Sequence, residues 1–363
     1  YNTSHDAGGG VAFENSYSGS EEPPTTRPMA EGCEVHDNTA YNQGGGVYVK
    51  VLVNPLFEQC RIRSNVAGGQ GQSSGEGGGM YWDNSTVELV TSVISNNRAD
   101  TLGGGLLIEG EGDIPFAEGN ALGGTPGSRL THCTIQLNET TDSGFFVFGG
   151  GVHARQGADP SAQTVTQFEN CLIVNNKAND RGGMSIVDTS VSLQNCTVSQ
   201  NTAKGIGSYG GVSFANNTGI TGINLTINDS IVTGNRYRVT APTNAWEADL
   251  VDLNNAAGFD ILLTYSIMNN ASTWQAFTSS GTNKHARPYF TSGASWTYFP
   301  ANGFYLSHQP HQAVTSIGYN NGSQPISSLL AVDGMTCRTA LINVDVGQVD
   351  IGFHYPSSLT GLP

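Results

Sequence analysis

FENCLIVNNKANDRGG, residues 168–183, sets a cysteine among apolar residues, follows it with two asparagines, and ends on two glycines. Such a stretch reads as a reactive thiol, as a metal site, or as one copy of a structural unit. Aligning the rest of the chain on it decides between these. GCEVHDN (32–38), QCRIRSN (59–65), TSVISNN (91–97), HCTIQLN (132–138), NCLIVNN (170–176), NCTVSQN (195–201) and DSIVTGN (229–235) all carry Cys or Ser, then Val or Ile two residues later, then Asn five residues later. An eighth copy, YSIMNNA (265–271), keeps the serine and has its asparagine one place early, at Asn270. The small-residue position is thus Cys33, Cys60, Ser92, Cys133, Cys171, Cys196, Ser230 and Ser266, at steps of 27, 32, 41, 38, 25, 34 and 36 residues. The asparagines are Asn38, Asn65, Asn97, Asn138, Asn176, Asn201 and Asn235. Glycine blocks follow most copies: Gly44 to Gly46, Gly77 to Gly79, Gly103 to Gly105, Gly149 to Gly151, Gly182 with Gly183, and Gly210 with Gly211.

A short strand, a corner at asparagine and a second strand after glycine, repeated every 25 residues or more, predict a coiled parallel sheet. Two or three strands per turn are expected, with an unbroken two-residue alternation setting Phe168, Asn170 and Leu172 against Glu169, Cys171 and Ile173. Like residues then stack on like at about 4.8 Å per coil, and the eight positions make a column of about 35–40 Å. The corner asparagine is expected in the left-handed conformation, its amide bonded to the amides above and below. Glycine permits positive φ and lets successive coils approach closely. Unequal steps are insertions at corners, such as SGSEEPPTTRP (18–28), GGQGQSSGEGGG (68–79) and GEGDIPFAEGNALGGTPGSR (110–129). The expected fold is all-β: a right-handed parallel β-helix over residues 1–270, with an aromatic-rich C-terminal cap or assembly module over 271–363, where the repeat stops.

The chain has 363 residues, a formal net charge of −15 from 15 Lys+Arg against 30 Asp+Glu, and only 12% charged residues. That balance argues against binding nucleic acid or an anionic membrane. Neither a membrane-length apolar run nor a signal-peptide core is present in the sequence. The start at Tyr1 suggests a processed piece of a longer precursor. The 48 glycines lack the Gly-X-Y period of collagen.

These units resemble the repeats of bacterial right-handed parallel β-helix surface proteins, and the glycine-pair-plus-asparagine pattern is similar to that of the chlamydial polymorphic outer-membrane proteins. NGFYLSHQ (302–309) and VDIGFHYP (349–356) resemble the closing segment of large exported β-helix proteins of environmental bacteria, which ends in an Asp-Ile-Gly-Tyr-His-Tyr-Pro string matched here by Asp350 to Pro356. The resemblance implies architecture and export to the cell surface or beyond; it does not carry a catalytic activity with it, since fold alone does not give function.

Cysteines stacked at one register lie within disulfide range, at Cα separations of about 4.4–6.8 Å. The column of three formed by Cys133, Cys171 and Cys196 cannot pair fully, which favours buried thiols with serine as an equal-volume substitute. Cys337 has no partner in the ladder. The rival to a structural role is an enzyme acting on polysaccharide, which needs clustered carboxylates on one face. Asp83, Glu109, Glu111, Asp113, His153, Arg155, Asp180 and Asp188 are the candidates, and the repeat alignment sets no acidic residues at one register in adjacent coils. No catalytic residue or metal ligand is therefore expected, and solvated corner charges account for these side chains. Aromatics such as Tyr81, Trp82, Trp246 and Trp274 offer sugar-stacking faces. Calcium at EGEGD (109–113) or DVGQVD (345–350) is the weaker cofactor alternative, since the spacing of known calcium loops is missing. Nine Asn-x-Ser/Thr sequons occur, of which Asn84, Asn216 and Asn321 fall at corners open to glycosylation.

A β-helix end exposes a full coil of unpaired backbone. The chain enters its first coil through Gly8 to Gly10 with no amphipathic capping helix. The expected partner is therefore the chain itself, stacked head to tail into an extracellular fibre or scaffold. A carbohydrate-active enzyme or a sugar-binding adhesin passenger domain on the same fold is the alternative.

Overall fold

The computed structural model describes residues 2–14, 27–50, 54–69, 74–110, 127–142, 146–157, 165–205, 208–218 and 222–237, with the backbone of short strands between 246 and 356. Ser266, Asn321, Cys337, Glu111, Asp113 and the DVGQVD stretch lie outside the described residues, as does most of the expected C-terminal module. The described strands build four sheets of nine, eight, nine and eight strands, plus a separate two-stranded pair. Each coil visits the four sheets in turn, so a turn holds four strands rather than the two or three expected.

One coil shows the design. Val165–Glu169 lies in the third sheet, Leu172–Val174 in the fourth, Lys177–Ala178 in the first and Met184–Val187 in the second. Every neighbour pair among these is parallel and in register: Phe168 faces Leu193, Ile173 faces Val198, Ala178 faces Ala203 and Ile186 faces Phe214. The strands are short because a corner interrupts each side. The alternation expected through 168–173 is broken at Asn170, which sits at φ 49° and re-aims the chain. Phe168, Cys171 and Ile173 consequently all point into the core, where each is fully buried.

The left-handed residue of the next corner is also not the one expected. Asp37, Ser64, Asn96, Leu137, Asn175 and Gln200 have φ between 55° and 57°, each one place before the ladder asparagine. The turn is taken by a residue whose side chain leaves the coil, and this frees the asparagine to point inward. The interior is filled by rows of one chemistry, such as Ile62, Ile94, Ile135, Ile173, Val198 and Val232 from the fourth sheet, all at 0% exposure. Burying one such side chain contributes about 1.5–3 kcal/mol.

The glycine blocks close the last corner. Gly77, at φ 64°, makes the turn. A Cβ on Gly79 would lie 2.6 Å from the Gly105 carbonyl of the next coil and 2.8 Å from Asn97 Nδ2. Backbone therefore stacks directly on backbone here, and the glycine and asparagine signals of the repeat are two halves of one contact.

Candidate functional site

Two columns of polar side chains run along the inside of the wall. In the first, Asn38, Asn65, Asn97, Asn138, Asn176, Asn201 and Asn235 are all at or below 5% exposure. Each of the first six donates from Nδ2 to Oδ1 of the asparagine in the next coil, at 2.9–3.0 Å. The same Oδ1 also accepts the main-chain N–H of the preceding asparagine, as from Asn138 to Asn176 at 3.0 Å. The second Nδ2 proton goes to a main-chain carbonyl, as from Asn176 to Ile135 at 3.0 Å. Buried amides are costly unless paired, and here all of the amide's hydrogen-bonding capacity is used along the coil axis. Asn2, one of the nine sequons, also belongs to this column: its N–H donates to Asn38 Oδ1 at 3.1 Å, and Thr3 is in register with Thr39. The repeat is recognised by the Cys/Ser and apolar residues five and three places before the asparagine, positions that lie before residue 1 for Asn2.

The second column is the cysteine and serine ladder. Cys60, Ser92, Cys133, Cys171, Cys196 and Ser230 are buried, whereas Cys33 is exposed because the described coils include none stacked before it. The five described cysteines are free thiols. Ser92 Oγ donates to the Val90 carbonyl at 2.8 Å and accepts the Cys60 N–H at 2.9 Å. Cys196 Sγ donates to Phe168 and Gln194 carbonyls at 3.3 Å and accepts the Cys171 N–H at 3.4 Å. Cysteine and serine thus share hydrogen-bonding roles as well as size. Burial pushes the Cys60 and Cys171 thiols above their ordinary range.

The outer face of the second sheet gathers the ionisable groups. Asp83 and Glu109 stand at one register in adjacent coils, with Lys50 before them and Arg155 after. No such acidic pair is expected from the alignment of the repeat. The strands Met80–Asp83 and Leu106–Glu109 carry it in the second sheet, whose register was not used in the alignment on the cysteine position. Arg155 Nη2 donates to Glu109 Oε2 at 2.7 Å and to Glu76 Oε2 at 3.2 Å, joining three coils. Tyr81 donates its hydroxyl to Glu109, and Tyr48 reaches Asp83 Oδ2 at 3.5 Å. Burial raises Glu76 above the ordinary carboxylate range, against the lowering effect of Arg155. Asp83 is raised by burial and then by Glu109. Burial works against the charge on Arg155, but the Glu109 hydrogen bond and the Glu76 charge outweigh it and raise its pKa. Tyr48 and Tyr81 are pushed up by burial first and by the neighbouring carboxylates next.

The remaining candidates scatter. Tyr81 is 2% exposed and Trp82, which points into the core, 0%, so neither presents the sugar-stacking face expected of them. His153 is buried with Nδ1 lacking a hydrogen-bond partner, and burial, then the Arg155 and Arg181 charges, hold its pKa well below the ordinary value. Asp180 pairs loosely with Arg181 Nε at 3.8 Å, and Arg181 lies over the Phe148 ring at 4.0 Å. Asp188 accepts the main-chain N–H of Asn217 and of Thr218, at 2.5 and 3.1 Å, as a corner staple. Asn84 is a half-buried corner residue at φ 49°. Asn216, which directly follows the strand Val212–Ala215, is 2% exposed, contrary to the open corner expected of a glycosylation site. Among the described residues no three His, Cys, Asp or Glu side chains converge as metal ligands, and no helix is long and apolar enough to cross a membrane.

No curated protein and no solved structure matches the chain. A family model described as the right-handed beta helix region matches residues 1–266. Those residues hold nearly all of the described four-sided parallel coil and the described asparagine column through Asn235, and the chain belongs to the right-handed β-helix family.

Proposed function

We propose that the chain is a non-enzymatic structural subunit of an extracellular filament or surface scaffold of a bacterium, joined head to tail to copies of itself through the ends of its coil. What carries the reading is the edge of the first described coil. The Asn2 carbonyl accepts the Thr39 N–H at 2.9 Å, so the Thr3 N–H, on the opposite side of the same peptide plane, points out of the end face. The Ser4 carbonyl accepts the Tyr41 N–H at 3.1 Å, which turns the His5 N–H the same way. Phe13, Ala30 and Val35 beside them are only partly buried, while Val49, Phe57 and Ile62 one coil on are at 0–3% exposure. A parallel strand added at this edge continues each sheet and covers that apolar opening. A contact between two different faces of one subunit propagates lengthwise.

Thr3→Pro tests the reading, because it removes a donor at the free edge and leaves the bonds to the next coil in place. Electron microscopy of the parent chain is expected to show rods that lengthen with concentration, and the variant to remain single with an unchanged circular dichroism spectrum. Parent chains that stay single at high concentration contradict the proposal.

A second reading, a carbohydrate-active or sugar-binding surface, is favoured by one observation: Glu76 and Glu109 carboxylates on a single Arg155 nitrogen, beside Asp83. Paired carboxylates at about 5–10 Å serve glycoside hydrolysis. Release of reducing ends from a panel of acidic and neutral polysaccharides, abolished in Glu109→Gln, would support it. No release, and no binding on a glycan array, would remove it.

A further inference from the structure

Ser92 interrupts the cysteine column and separates the pair Cys33 and Cys60 from the trio Cys133, Cys171 and Cys196. The trio is at 0% exposure, whereas Cys33 is exposed in the first described coil and Cys60, one coil in, is at 1%. Among the described residues, this pair is where stacked thiols come within reach of solvent.

The strands on either side set the geometry of the pair. Glu31 is in register with Glu58 and Glu34 with Arg61, so Cys33 and Cys60 hold equivalent places in neighbouring coils. Cys33 Sγ donates to the Glu31 carbonyl at 3.4 Å and Cys60 Sγ to the Glu58 carbonyl at 3.3 Å, the same acceptor in each coil. The two side chains are therefore parallel, displaced by one coil of about 4.8 Å along the axis. A disulfide needs Cβ atoms about 3.5–4.5 Å apart and side chains turned toward each other. Parallel side chains do not meet that, which accounts for stacked cysteines that are free thiols.

The same arrangement suits an ion held between two sulfurs. Two metal–thiolate bonds of about 2.3 Å, laid end to end, span about 4.6 Å, close to the coil spacing. Zinc takes four such ligands. Among the described residues no third His, Cys, Asp or Glu side chain joins this pair. Two soft sulfurs and nothing more select a soft ion that accepts low coordination, of which copper(I) is the first-row case. Ser92 does not extend the site, since its hydroxyl is engaged by the Cys60 N–H and the Val90 carbonyl.

We propose that Cys33 and Cys60 together bind one thiophilic monovalent ion of the copper(I) class, bridging neighbouring coils at the open end of the cysteine column. Each thiol gives up its proton as the ion binds, so one ion enters and two protons leave. Burial raises the Cys60 thiol, against the lowering effect of the Cys33 main-chain N–H, so uptake strengthens as pH rises. The site does not depend on head-to-tail stacking, because both ligands belong to one chain.

Anaerobic titration with copper(I) against a coloured competing chelator tests this, in full chains held single by dilution. The chains carry Cys337→Ser, because Cys337 lies outside the described residues. The expected result is one ion per chain, two sulfurs at about 2.3 Å in X-ray absorption, and Cys33 shielded from iodoacetamide. Cys60→Ser keeps the fold, since Ser92 and Ser230 already hold that ladder position. It is expected to weaken binding by about a hundredfold, the upper end of what losing a group one step removed from a metal costs, and to leave one sulfur on the ion. Cys60→Ser chains that bind as tightly as the parent overturn the proposal, since the exposed Cys33 alone would then account for uptake. Half an ion per chain overturns it as well, because the ion would then join Cys33 of two copies. Binding that survives in Cys33→Ser, or no binding by the parent, overturns it too.

Discussion

Replacing Asn176 by alanine isolates what the asparagine column contributes. The side chain is at 0% exposure and makes four hydrogen bonds: its Oδ1 accepts Asn138 N–H and Nδ2–H, and its Nδ2 donates to Asn201 Oδ1 and to the Ile135 carbonyl, all at 3.0 Å. Alanine leaves two buried donors on Asn138 without their acceptor and takes a donor from the Ile135 carbonyl. Asn201 Oδ1 keeps the main-chain N–H of residue 176. An unsatisfied buried group costs about 1–3 kcal/mol, so the two stranded donors alone cost about 2–6 kcal/mol. Asn176→Asp costs more, since it trades both Nδ2 donors for a buried charge facing Asn201 Oδ1 and a carbonyl. The measurement is urea unfolding of the full chain, with hydrogen exchange of the flanking coils to detect local opening in a repeat array. Lys177→Ala, at the exposed strand position beside it with no positive φ, is the control. A loss below about 1 kcal/mol for Asn176→Ala, or one equal to that of Lys177→Ala, would refute the ladder as a source of stability.

Leu137 holds φ 57° with 48% of its surface exposed, so Leu137→Gly relieves a strained backbone and is expected to raise stability by about 1 kcal/mol, read as a higher urea midpoint. In chains held single by dilution, iodoacetamide is expected to modify Cys33 and spare Cys60, Cys133, Cys171 and Cys196, and mild alkali does not open Cys60 or Cys171 because burial holds their thiols up; mass spectrometry of the alkylated peptides decides it. The Glu76 carboxyl has a folded pKa above its unfolded one, so its contribution is fully present below the unfolded value and is lost as pH rises through the folded one. Glu76→Gln removes that loss: relative to the parent, the variant gains stability between about pH 4 and pH 7, and urea midpoints at both pH values that shift equally in the two chains would contradict it.

How far the sequence could be read follows from what each signal is made of. The coil was legible because the cysteine or serine, the apolar residue and the asparagine all point into a closed interior, where each coil demands the same shape as the last. The glycines were legible because a Cβ there meets the next coil's backbone. The outward-facing residues carry no such demand. Asp37, Ser64, Leu137 and Gln200 take the same left-handed turn with unrelated side chains, which is why that turn was placed one residue late. The Asp83–Glu109–Arg155 row escaped notice because insertions of unequal length separate strands that the fold puts side by side. The apolar outer rows through Leu172 and Ile231 were indistinguishable from core until four sheets, rather than two or three, fixed which face each residue takes.

Cryo-electron microscopy of the purified chain tests the central claim most directly, since it reads the coil and its continuation together. The account predicts filaments whose coil spacing of about 4.8 Å runs unbroken across each subunit junction, with the Thr3 edge of one copy against the far end of the next. Separate rods of one chain's length, or filaments joined side by side with the Thr3 edge open to solvent, would contradict it.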